Sequence, residues 1–116
     1  IQNNKRIRHM PLDFHIQEEP TKLSLDHVGL EYPDWEKLLA LANANQLTVL
    51  SSLKEFYGAD AKVHFSGPEL LQLNKEVQQL LTNSELGEEL KVKLAKLIEL
   101  SDSAYKNHKI LLTNPD

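Results

Sequence analysis

The side chains best equipped for chemistry are the five histidines, and their spacing decides what they can do. His9, His15, His27, His64 and His108 stand far apart in the chain. No two are at i, i+4 and there is no His-Glu-x-x-His, so no single helix presents a ready-made pair of metal ligands. A metal site would have to be assembled from distant segments, for example His15 and His64 on neighbouring strands with Asp13. Nothing in the spacing supports that assembly, and the expectation is no metal and no cofactor. His15 and His64 read instead as strand residues on a solvent face, and His108 as lying along the apolar stripe of the last helix.

Other catalytic arrangements fare no better. Asp26-His27 followed by Glu31 has the composition of an oriented general base, but a base needs a nucleophile to serve, and no Gly-x-Ser-x-Gly elbow is present. Ser51 and Ser52 fall inside a predicted helix. Gly29, Gly58, Gly67 and Gly87 are scattered one to a turn, so no glycine-rich loop exists to cradle phosphate. The carboxylates cluster most densely at Glu85, Glu88 and Glu89. Helix stabilisation accounts for them: they sit in the first turn of a predicted helix, where the dipole favours anions, and Glu89→Lys93 and Asp102→Lys106 have the favourable i, i+4 order. What remains is a negative face suited to a basic partner.

Charge sharpens that remainder. The 116 residues carry 13 Lys+Arg and 17 Asp+Glu, a net charge of −4. Lys5, Arg6 and Arg8 precede Met10 and every acid follows it, so from Met10 onward ten lysines face 17 acids, a net charge of −7. No arginine lies in that body. Nucleic-acid recognition draws on clustered Lys and Arg, with Arg reading bases bidentately, so residues 10–116 are disfavoured as a nucleic-acid binder. Residues 1–9 read as a non-native leader or a basic arm, and 10–116 as a single compact domain. No apolar run approaches the ~18 residues that argue a membrane span. The absence of cysteine excludes disulfides, thiolate metal sites and a cysteine nucleophile, and fits a reducing, cytoplasmic compartment.

The elements that must position these residues are legible in outline. Pro11–Ile16 alternates, with Leu12, Phe14 and Ile16 on one side, as does Leu23–Asp26 more weakly; both predict strands, and Gly29 then marks a turn. Tyr32-Pro33-Asp34 opens a predicted helix with Trp35, Leu38, Leu39 and Ala42 on one face, closing at Asn43 or Asn45. A short helix is predicted over 48–57 and a third strand over 61–65. Ser66-Gly67-Pro68-Glu69 has capping-box spacing. The helix behind it carries Leu70, Leu73, Val77, Leu80 and Leu81 on one stripe and Gln72, Lys75, Glu76 and Gln79 opposite. A longer helix is predicted from Glu85 to Lys106 or a little beyond, its apolar arc broad enough to be central. The tail from Lys109 is apolar enough to dock as a fourth extended segment. The expectation is an α+β fold, mainly helical, with about four helices packed on a small sheet of two to four short strands.

The functional expectation is a non-enzymatic interaction module binding a basic protein, of the small bacterial-type inhibitor or immunity kind. Glu18, Glu19, Glu31, Asp34 and Glu36 would steer the encounter, and Tyr32 and Trp35 would anchor it. Core packing is the competing role for Trp35, which begins an apolar stripe. Two alternatives stand beside this reading. One is a homo-oligomer, such as a homodimer, in which Leu71 and Val92, both off their apolar stripes, are buried against a second copy. The other is a small enzyme using His15 or His64 in a pocket between protomers.

Overall fold

A computed structural model describes residues 12–19, 22–53, 64–83 and 86–115. Its strands are β1 (Leu12–Glu19), β2 (Lys22–Leu30), β3 (His64–Phe65) and β4 (Ile110–Pro115). Its helices are α1 (Tyr32–Ala44), α2 (Thr48–Ser51), α3 (Pro68–Leu81) and α4 (Glu88–Lys106). The α+β, mainly helical architecture is as expected: among the described residues four helices pack on a four-stranded antiparallel sheet of order β2-β1-β4-β3.

Period-two alternation sorts the sheet into two faces. Phe14 and Ile16 of β1, Val28 and Leu30 of β2, Phe65 of β3 and Leu111 of β4 are buried in one cluster with Trp35, Leu38, Leu73, Leu94 and Leu97. The long helix α4 runs across this face against β1, β2 and β4, and α3 packs on α4. On the other face His27, His15, Leu112 and His64 form one row across the four strands, through the pairs His15↔His27, His15↔Leu112 and His64↔Leu112.

Several elements depart from expectation for identifiable reasons. Gly29 lies within β2, not at a turn, opposite Asp13 in the register. A Cβ there would stand 2.5 Å from Asp13 Oδ1, so the glycine makes room for a neighbouring carboxylate. The Ser66–Glu69 capping box does not form. Gly67 is the N-cap at φ 56°, without a side-chain cap bond, and Glu69 N–H and Leu70 N–H donate to the carbonyls of Ser66 and Gly67. The positive φ that glycine tolerates there wins over the serine hydroxyl. Of the predicted 48–57 helix only Thr48–Ser51 is helical among the described residues; 54–57, like 61–63 of the third strand and Ser84 and Glu85, lie outside them.

Helices α1 and α4 close alike. Asn45 and Asn107 are the C-caps, their Nδ2 groups donating to the carbonyls of Leu41 and Ser103 at 2.8 Å. The next residues, Gln46 at φ 58° and His108 at φ 56°, take the left-handed conformation. Leu47 N–H and Lys109 N–H then reach back to Ala42 and Ala104, each at 2.8 Å, which is the Schellman closure. So asparagine ends α1 as expected, Asn107 does the same for α4 without having been singled out, and in both the residue after it carries the left-handed turn. His108 is therefore an exposed terminator and not part of the apolar stripe.

Glu76 is the largest departure in the core. Expected on the polar side of α3, it is only 2% exposed. Its Oε1 accepts Leu50 N–H at 2.8 Å, and its Oε2 accepts Val49 N–H at 3.2 Å and Gln72 Nε2 at 3.0 Å. The carboxylate caps α2 from another element, satisfying N–H groups that a one-turn helix cannot pair internally. On the opposite flank of the same stripe, Asn74 donates to Ile98 O at 3.1 Å and Ser101 Oγ at 3.0 Å, tying α3 to α4.

Candidate functional site

The residues expected to meet a partner do not form one patch. The register pairs Leu12 with Leu30 at one end of the β1–β2 hairpin and Glu19 with Lys22 at the other. At ~3.3 Å per residue those ends are ~23 Å apart. Glu18 and Glu19 thus sit at the far end from Glu31, Tyr32, Asp34, Trp35 and Glu36, which open α1. The side chains of Glu18, Glu19 and Tyr32 lie outside those described. Trp35 is 4% exposed and belongs to the core cluster, the packing role weighed for it, so it offers no anchor at the surface. Glu31 and Glu36 are exposed, and at 100° per residue Glu36 points well away from the face that Glu31 and Asp34 share.

Tertiary packing adds what the chain order hides. Lys93 of α4 bonds Asp34 of α1 at 3.1 Å and approaches Glu89 at 4.0 Å, which brings the first turns of the two helices to one corner. Glu88 and Glu89 are exposed there, and Val92, 69% exposed, lies between them and the next turn of α4. Glu88, Val92, Glu89 and Lys93 fall within about 140° of one helix circumference, opposite the buried stripe of Leu90, Leu94 and Leu97. Lys96, one turn on, is paired with Glu99 at 3.6 Å. The corner therefore joins Asp34 and Glu89 through one lysine, with exposed Glu31 one turn before Asp34 in the chain and exposed Glu88 and Val92 beside Glu89 on α4. The expected Asp102–Lys106 pair also forms, at 3.0 Å, farther along α4. Sequence spacing signalled Asp34, Glu88 and Glu89 as helix-start residues; only the α1–α4 contact joins Asp34 to Glu89.

Two other surfaces carry polar chemistry. Between α3 and α4 runs an open groove of about 280 Å³ lined by Leu71, Lys75, Asp102 and Tyr105 among others. Leu71 and Tyr105 are exposed there, although Tyr105 was expected on the buried stripe. On the open sheet face the rings of His15 and His27 stack with centroids 5.1 Å apart and planes at 20°. His64 shares that face, as expected of it, but β4 separates it from His15. Among the described residues no three His, Asp or Glu side chains are grouped to hold a metal ion, and no helix is long and apolar enough to cross a membrane.

Fold and surfaces together define the class: among the described residues, a mainly helical α+β domain whose helices cover one face of an antiparallel sheet. Compared with known protein families, curated proteins and solved structures, the chain finds no match.

Proposed function

We propose that the protein is a non-enzymatic interaction module that binds a basic protein partner, in the manner of a small inhibitor or immunity protein, through the corner where α1 and α4 begin. The observation that carries this reading is the meeting of Asp34 and Glu89 at Lys93, with Glu31, Glu88 and Val92 exposed along the same two helix starts. The body charge of −7 from Met10 onward supplies the long-range field that raises the encounter rate with a cationic surface. Val92 supplies apolar contact that water leaves on binding, and the surrounding acids set register and specificity.

The test is parallel affinity capture with the wild type and with a Glu31→Lys, Glu88→Lys, Glu89→Lys variant of unchanged circular dichroism. The expected result is a basic protein retained by the wild type, eluted by rising salt, and lost from the variant. Identical capture by both, or salt-insensitive retention, overturns the reading. Exposure of Leu71 and Tyr105 along the α3–α4 groove favours a second reading, self-association through that groove. Sedimentation at micromolar concentration decides it: a monomer removes it, and a dimer dispersed by Leu71→Asp supports it.

A further inference from the structure

We draw no further inference here: the strongest candidate, the open groove between α3 and α4 where Leu71 and Tyr105 are exposed, carries nothing beyond the self-association already weighed, because nothing in the structure shows what covers it.

Discussion

The two faces of the sheet share a backbone and differ in everything else. On the covered face Phe14, Ile16, Val28, Phe65 and Leu111 meet the helices in a continuous core. On the open face, one residue along each strand, stand His15, His27, His64 and Leu112. The difference teaches where packing ends in this molecule: side chains on the first face are held by close packing, whereas on the second His27 and His64 are exposed to solvent and His15 and Leu112 are half-buried.

The sharpest way to break that comparison is to truncate one residue on each side. Phe14→Ala, at a fully buried position, is expected to cost ~3–5 kcal/mol in urea unfolding, whereas His64→Ala on the open face changes stability by less than ~0.5 kcal/mol. Similar losses for the two would show that the open face is not open. Next in size is Glu76→Ala, expected to cost ~2–3 kcal/mol by leaving the Val49 and Leu50 N–H groups without their acceptor. Glu76→Gln keeps one acceptor oxygen and loses less. Equal stability of the two variants would mean that the carboxylate does not cap α2.

A smaller effect probes the histidine face itself, where Asp13 lies opposite Gly29. Gly29→Ala is expected to cost ~1 kcal/mol, because its new methyl meets Asp13 Oδ1, and to cost nothing in an Asp13→Ala background. The same penalty in both backgrounds would place the strain in the backbone. The smallest effect belongs to the acidic corner. Lys93→Ala loses a partly exposed pair with Asp34, expected at ~0.5 kcal/mol and falling as salt is added. A loss several times larger would make the corner a structural element and weaken its reading as a recognition surface.

Much of the fold was legible in local pattern. Alternation marked β1, the leucine stripes marked α3 and α4, and Asn45 stands at the C-cap of α1. The site was legible only in fragments. Asp34, Glu88 and Glu89 read as helix-start acids and Glu31 as a steering acid before them, and nothing in their spacing tied residue 34 to residue 93. Glu76 read as a surface residue because helical periodicity sees one helix at a time, and its partners are backbone groups of another element. Tyr105 and His108 were misplaced for a related reason: a broad apolar arc does not reveal where neighbouring elements end.

By itself, then, the sequence determined the class of fold, the approximate places of β1, α1, α3 and α4, the lysine-only acidic body and the absence of any thiol. Those properties follow from residue type and from repeats of two and 3.6, which act over a few residues. Tertiary structure alone decided that the last strand pairs with the first, that His15 faces His27, that α1 meets α4 through Lys93, and that a carboxylate of α3 caps α2. These are contacts between segments distant in the chain, and their geometry is set by how whole faces pack together, which no local spacing encodes.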